Sequence, residues 1–192
     1  MMRTSFIAAL GALSLAACDA LPVGGGSPLV TSDADARRVG PAAGLPFGQI
    51  ATTCELPRGQ MGQPVATSAG YTIYDSLPGS TAQRVHYIDG FADGCARQFT
   101  AALVLTGDIG THEVLRYSQS ADERAYTQAD TAYEAIKLAF CSAPAGTPCG
   151  DRIEALGQRT TFVTAYPQFS GSAEWTEILL HEGTVAAAGV ER

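Results

Sequence analysis

The pattern of apolar and polar positions predicts short strands in the first part of the chain. Residues 71–76 and 84–88 are runs of strand-forming residues, and the turn-forming residues 77–80 between them predict a hairpin. Residues 95–105 carry apolar side chains at alternate positions from Phe99 onward, the pattern of a half-buried strand. The glycines that follow predict the end of that strand.

A helical period replaces this alternation after residue 120. The residues Ser120-Ala121-Asp122-Glu123 have the spacing of a capping box, in which a serine and a glutamate satisfy the free amides of a helix start. One face of the predicted helix is apolar and carries Ala125, Ala129, Ala132, Tyr133, Ile136 and Phe140. Asp130, Glu134 and Lys137 fall outside that face. We therefore expect one long amphipathic helix.

The remaining residues predict a short helix and a return to strands. Asp151 and Glu154 indicate the start of the helix, and Gly157 its end. Strand patterns separated by turn residues then cover residues 161–166, 173–180 and 184–190. This order of elements predicts an α+β domain, with one long helix packed on an antiparallel sheet of about five or six strands.

The amino terminus has the pattern of an export signal. Arg3 stands near the start, and an apolar run extends from Phe6 to Ala17. This run is shorter than the roughly 20 apolar residues that a spanning helix needs. The alternatives left by this pattern are a lipoprotein signal and an ordinary secretory signal cut at residues 12–14.

The sequence Leu15-Ala16-Ala17-Cys18 resembles the lipobox of bacterial lipoproteins. The resemblance implies that diacylglycerol is attached to Cys18 and that the signal peptide, residues 1–17, is removed before it. Asp19 is similar to the inner-membrane retention signal of enterobacterial lipoproteins, with the outer membrane as the alternative. We therefore expect a protein of the cell envelope that faces the periplasm and contacts the membrane through its lipid.

The composition after Cys18 predicts a tether followed by one globular domain. Residues 18–47 contain a glycine cluster, several prolines and few apolar runs, which is typical of a flexible linker. Residues 48–192 are long enough to bury the core of a single domain. In format the mature chain resembles the small lipoproteins of GC-rich proteobacteria, a resemblance that carries no activity.

Charge and cysteine content narrow the classes of partner and compartment. The net charge of -7 argues against nucleic acid as a partner. Of the five cysteines, four remain once Cys18 is lipidated, and an even number in an exported protein predicts two disulfides. Three pairings are possible, and we favour Cys54 with Cys95 and Cys141 with Cys149, because the second pair flanks a short loop.

The common catalytic motifs are absent from the sequence. It contains neither the Gly-x-Ser-x-Gly sequence of many serine hydrolases nor a glycine-rich phosphate loop outside the tether. His86, His112 and His181 are not spaced as metal ligands, and no pair of cysteines has zinc-site spacing. We therefore predict no catalytic residue, no metal and no cofactor.

The most polar stretch of the predicted domain is the segment from His86 to Cys95. It could present His86, Asp89 and Asp93 to a ligand. Its two Asp-Gly steps are also what tight turns prefer, and two carboxylates four residues apart fall short of a calcium loop. Both interpretations stay open on the sequence.

The sequence thus favours a lipid-anchored, non-enzymatic module that binds or assembles with an envelope protein. One alternative is an envelope hydrolase that uses His86, Asp89, Asp93 or His112 as acid and base. Another is an inhibitor of an exogenous enzyme such as lysozyme, since an acidic domain would be steered toward a cationic target.

Overall fold

A computed structural model describes residues 36–119 and 125–192. The predicted lipidation site and the predicted capping box at residues 120–123 lie outside these residues. Three α-helices lie within them: α1 Ile109–Tyr117, α2 Gln128–Cys141 and α3 Ile153–Gly157. The strands are β1 Ile50–Thr53, β2 Gln63–Ser68, β3 Tyr71–Asp75, β4 Arg84–Asp89, β5 Ala96–Ala101, β6 Leu103–Gly107, β7 Thr160–Tyr166, β8 Trp175–His181 and β9 Thr184–Glu191.

The strands form two antiparallel sheets. The first sheet has the order β1-β5-β4-β3-β2, and the second has the order β6-β7-β8-β9. The prediction of a mainly antiparallel α+β domain with disulfides is confirmed at this level. The prediction of a single sheet is wrong, because the described residues contain two sheets. Besides the predicted long and short helices, they also contain α1.

The two sheets pack face to face around the largest core cluster. This cluster contains Ile73, Ile88 and Phe99 from the first sheet and Val163 and Ile178 from the second. The opposite face of the second sheet is covered by the helices. The second sheet is therefore the middle of three layers, and its strands need apolar side chains on both faces.

Strand β8 shows this double burial in its sequence. Ile178 and Leu180 belong to the core between the sheets, and Leu179 between them packs under the helices. All three are fully buried. The imperfect alternation of this segment thus reflects a strand buried on both faces, together with a register shift between Leu179 and Leu180 in its pairing with β9.

The strand predicted over residues 95–105 is divided between the two sheets. Strand β5 ends at Ala101, the chain bends at the buried residue Ala102, and β6 starts at Leu103. At the bend the amide of Ala102 donates to the carbonyl of Tyr166 at 2.8 Å. The apolar alternation continues through the bend, so the pattern does not reveal the change of sheet.

Residues 36–47, assigned from the sequence to the tether, pack against the first sheet. The amide of Val39 donates to the Thr52 carbonyl at 2.9 Å, and the amide of Ala42 donates to the Tyr87 hydroxyl at 2.9 Å. Leu45 is buried. The packed domain therefore includes residues before the predicted boundary at Gly48, because these residues cover the edge strand β1.

Helix α2 begins at a different cap from the predicted one. The Thr127 hydroxyl accepts the Asp130 amide at 2.9 Å, and the Asp130 carboxylate accepts the Thr127 amide at 3.0 Å. The long helix is therefore confirmed, and its capping box, Thr127 with Asp130, starts seven residues beyond the predicted one. The short helix ending at Gly157 is also present as α3, preceded by a turn of 3₁₀ helix.

Both predicted disulfide pairings are confirmed. Cys54 pairs with Cys95, which lies just before β5, and Cys141 at the end of α2 pairs with Cys149. The first bridge closes a separation of 41 residues and the second a separation of 8. No helix among the described residues is long and apolar enough to cross a membrane.

Removing the two bridges separately should destabilise the domain to different degrees. By loop entropy, Cys54→Ala with Cys95→Ala should cost about 4 kcal/mol, and Cys141→Ala with Cys149→Ala about 2.5 kcal/mol. Urea unfolding of the two double variants, compared with the parent, measures these losses. A larger loss for the short loop would contradict the entropic explanation.

Candidate functional site

The structure places His86 inside the first sheet, away from the solvent. His86 lies in β4 beside Asp75 of β3, with 3.6 Å between its Nε2 and the Asp75 carboxylate. Its Nδ1 faces the Arg84 carbonyl at 3.2 Å, and its ring stacks on Phe99. Burial lowers the pKa of His86, with the positive charge of Arg84 adding to this and the negative charge of Asp75 opposing it.

Asp75, the neighbour of His86, forms a buried ion pair with Arg84. Arg84 donates from two nitrogens to Asp75, with Nε at 2.7 Å and Nη2 at 2.5 Å from its two carboxylate oxygens. Burial opposes the charge on Asp75, but the hydrogen bonds from Arg84 and from the Leu77 amide outweigh it and lower the pKa. Asp75 therefore remains a carboxylate with its hydrogen-bonding capacity largely used.

The two aspartates of the predicted ligand loop are engaged by arginines. Asp89 pairs with Arg58 at 2.6 Å and accepts the amide of Gly90. Asp93 pairs with Arg97 at 3.1 Å and accepts the amide of Cys95. These contacts are those expected of turn formers, and the loop lies at the end of β4.

The structure does not join the residues that the sequence proposed as an acid-base site. Within residues 36–119 and 125–192, no hydrogen bond or ion pair links any two of His86, Asp89, Asp93 and His112. His112 instead pairs with Asp130 at 3.2 Å and stacks on Phe162. In the same residues no three side chains of the His, Cys, Asp and Glu types are placed to hold a metal ion.

A polar cluster that sequence reasoning missed lies between α1, α2 and the loop of the second disulfide. Its charged members are all buried. We call it the interhelical cluster, and it contains Glu113, Arg116, Tyr117, Asp130, Tyr133, Glu134 and Lys137. The sequence placed three of these residues off the apolar face of α2, but that side of the helix is also buried, under α1 and the loop.

Lys137 and Glu134 form the best-satisfied part of the interhelical cluster. The Lys137 ammonium contacts Glu134 at 2.5 Å, the Tyr117 hydroxyl at 2.6 Å and the Thr147 carbonyl at 2.7 Å. An ammonium group has three N–H donors, so three oxygen neighbours match its capacity. Burial and the hydrogen bond to Glu134 raise the pKa of Tyr117, so its hydroxyl stays protonated and donates.

Arg116 and Asp130 form the less satisfied part. Arg116 lies 3.6 Å from Asp130 and stacks over the ring of Tyr126 at 3.7 Å. Its guanidinium nitrogens are buried and make no hydrogen bond in the described structure. Burial opposes the charge on Asp130, but His112, the Thr127 amide and Arg116 together lower its pKa.

Glu113 differs from the other two carboxylates of the cluster. It accepts hydrogen bonds from the Tyr133 hydroxyl at 2.8 Å and from the Cys149 amide at 3.0 Å. Burial and the bond to Glu113 raise the pKa of Tyr133, so that donor is neutral. No lysine, arginine or histidine among the described residues lies within ion-pair distance of Glu113.

A groove of about 610 Å³ lies beside Glu113. One wall is a face of α1, formed by Gly110, Val114, Tyr117 and Ser118 together with Glu113. The other wall consists of Pro148, the last residue of the loop closed by Cys141 and Cys149, together with Gly150 and Ile153, which follow that loop. We call this feature the α1 groove, and its walls are largely apolar.

The sequence contains an N-cap residue for α1 but lacks the apolar period that usually reveals a helix. The Asp108 carboxylate accepts the Thr111 amide at 2.8 Å, which is an ordinary N-cap. However, the buried face of α1 carries Glu113 and Arg116 beside Ile109, so the apolar period that reveals most helices is missing. Only Asp108 could have indicated this helix.

A second, smaller cavity of about 330 Å³ lies near Asp93. Its lining includes Arg38, Asp93 and Arg97.

Comparisons of the chain with protein-family models, with curated proteins and with solved structures find no match. The function must therefore be argued from the residues themselves.

The burial of His86 predicts a loss of stability on acidification. Its pKa is lower in the folded protein than the ordinary value of 6.5, so the unfolded chain takes up the proton first. The contribution of His86 to the free energy of unfolding should be fully present at pH values above 6.5. The free energy of unfolding should therefore fall as the pH drops from about 7.5 to about 5. Urea unfolding at the two pH values, with the parent and with His86→Gln, measures the change.

The variant should show a smaller pH dependence than the parent, whatever its stability at neutral pH. Burial also lowers the pKa of His181, which lies in the second sheet. The variant His181→Gln therefore shows how much of the pH dependence comes from that histidine instead of His86. An unchanged pH dependence in His86→Gln would show that this histidine is not the source of the loss.

Proposed function

We propose that this chain is a lipid-anchored protein of the cell envelope whose domain acts as a non-enzymatic binding or assembly module. The sequence at Leu15 to Cys18 supports the anchor. The two disulfides support folding in an oxidising compartment. The proposed partner is an envelope protein.

The arrangement of the polar side chains is the main support for a binding role. A general acid or base must reach a substrate, yet His86 is enclosed by Asp75, Arg84 and Phe99. Asp89 and Asp93 contact arginines of their own domain. By contrast, the α1 groove is open and mostly apolar, which suits recognition of a partner.

An inhibitor of an exogenous cationic enzyme such as lysozyme is the second candidate. The net charge of -7 favours it, because an acidic domain attracts a basic partner over a distance of several ångströms. Loss of inhibition of purified lysozyme activity at raised salt would distinguish this role from assembly with an envelope protein.

Lipidation should depend on the Cys18 thiol. In a bacterial host, Cys18→Ala should abolish labelling of the protein by a fatty-acid analogue, because no other thiol lies at the lipobox position. Gel fluorescence after labelling with an alkyne fatty acid measures this, and Ser14→Ala serves as a control that leaves the box intact. Normal labelling of Cys18→Ala would overturn the anchor.

The ligand loop offers a test of the non-enzymatic role. Replacing Asp89 and Asp93 with Asn removes both charges but keeps the side-chain oxygens that accept the Gly90 and Cys95 amides. We expect the double variant to complement a deletion of the gene at equal abundance. Failed complementation with an unchanged melting temperature would instead place acid-base or cation-binding chemistry at the loop.

A further inference from the structure

The interhelical cluster contains one more buried carboxylate than buried basic side chains. Asp130 contacts Arg116 and His112, and Glu134 contacts Lys137. Among the residues that the structure describes, Glu113 contacts only neutral donors, the Tyr133 hydroxyl and the Cys149 amide. A buried charge without an opposite charge is costly, so a cation placed near Glu113 would be bound favourably.

The α1 groove gives access to this carboxylate. Glu113 is 5% exposed and lies in the wall of the groove. None of the described residues that line the groove is basic. Apolar walls screen charge poorly, so they strengthen the negative potential in the groove.

The apolar surface extends beyond the groove along α1. Val114 is 71% exposed and Leu115 is 54% exposed. A small molecule held in the groove would leave Leu115 in water, whereas a peptide segment lying along α1 would cover both side chains. The helix is nine residues long, and Ile109, Glu113 and Arg116 are its buried residues, so the other side chains of α1 remain for such a segment.

We infer that the α1 groove binds an apolar segment of a partner protein that carries a lysine or arginine directed toward Glu113. The segment lies along α1, with its apolar side chains against Val114 and the wall formed by Pro148 and Ile153. The inference rests on the proposed role as a binding module, and it specifies the surface and the chemistry of the partner.

Two synthetic amphipathic peptides provide the probe. Both have leucine on one helical face, and the other face carries lysine in one peptide and glutamate in its counterpart. The full-length protein, held in phosphatidylcholine nanodiscs with empty nanodiscs as the blank, is titrated with each fluorescent peptide. By anisotropy the lysine peptide should bind at least tenfold more tightly at low salt, and the difference should shrink as salt is added. Equal affinity for the two peptides would overturn the inference.

Glu113→Gln identifies the carboxylate responsible. It keeps an oxygen for the Cys149 amide but removes the charge, so most of the preference for lysine should disappear. Glu182→Gln is the matched control, since Glu182 is exposed and pairs with Arg159 outside the groove. A preserved preference in Glu113→Gln would overturn the role of Glu113.

A second pair of variants avoids any effect on folding. Val114→Lys and Val114→Glu remove the same exposed apolar group and differ only in charge, so their melting temperatures should be similar. The lysine peptide should bind more tightly to Val114→Glu than to Val114→Lys. The same affinity for both variants would show that the peptide binds elsewhere and would overturn the inference.

A free cationic amphiphile is the competing occupant. Decyltrimethylammonium that displaces the lysine peptide at equal concentration would assign the groove to a small ligand and overturn the proposed occupant.

Crosslinking in the native envelope distinguishes failure of this inference from failure of the proposed binding module. If a stoichiometric partner is captured equally by the parent and Val114→Lys, the groove is not its site. If neither captures a partner, the module proposal fails as well.

Discussion

Burial of the second sheet on both faces is the constraint that the rest of the fold satisfies. Its strands pack against the first sheet through Val163 and Ile178 and against the helices through Phe162 and Leu179. Neither face can be left to water, so the domain needs both outer layers. The helices are therefore held by the face of the sheet that they cover, and the α1 groove lies within this helical layer.

The helical layer is small, and it buries charge as well as apolar area. Lys137 is fully buried because Glu134, Tyr117 and Thr147 all give it oxygen neighbours. Removing one partner of such a network is costly, since the remaining charge stays buried. These contacts fix α1 to α2 more specifically than apolar contacts alone would. Glu113 lies at the edge of the network, where the described structure offers it neutral donors and an opening to solvent.

The sequence predicts elements well where one local pattern decides them. The helix over Gln128–Cys141 and the hairpin of β3 and β4 follow from such local patterns. The short loop between Cys141 and Cys149 favoured, among three possible disulfide pairings, the one that is found. The change of sheet at Ala102 does not, because alternation reports burial and not which strand is the neighbour. The candidate site was missed for a related reason. Its residues come from α1, α2 and the segment from Pro148 to Ile153, and no single stretch of sequence brings them together.

The second disulfide connects the proposed compartment of the protein with the groove. Cys149 contributes a bridge to the end of α2 through its sulfur and a hydrogen bond to Glu113 through its amide. Pro148 and Gly150, its two neighbours, form the wall that faces α1. Opening the bridge would free the segment that both shapes this wall and satisfies the carboxylate. Without that amide the buried carboxylate of Glu113 would lose one of its hydrogen-bond donors, which is costly for a buried acceptor. The geometry of the groove and the hydrogen bonding of its carboxylate thus both depend on the loop that the second disulfide closes. Such a disulfide persists in an oxidising compartment, as the proposed location in the cell envelope requires.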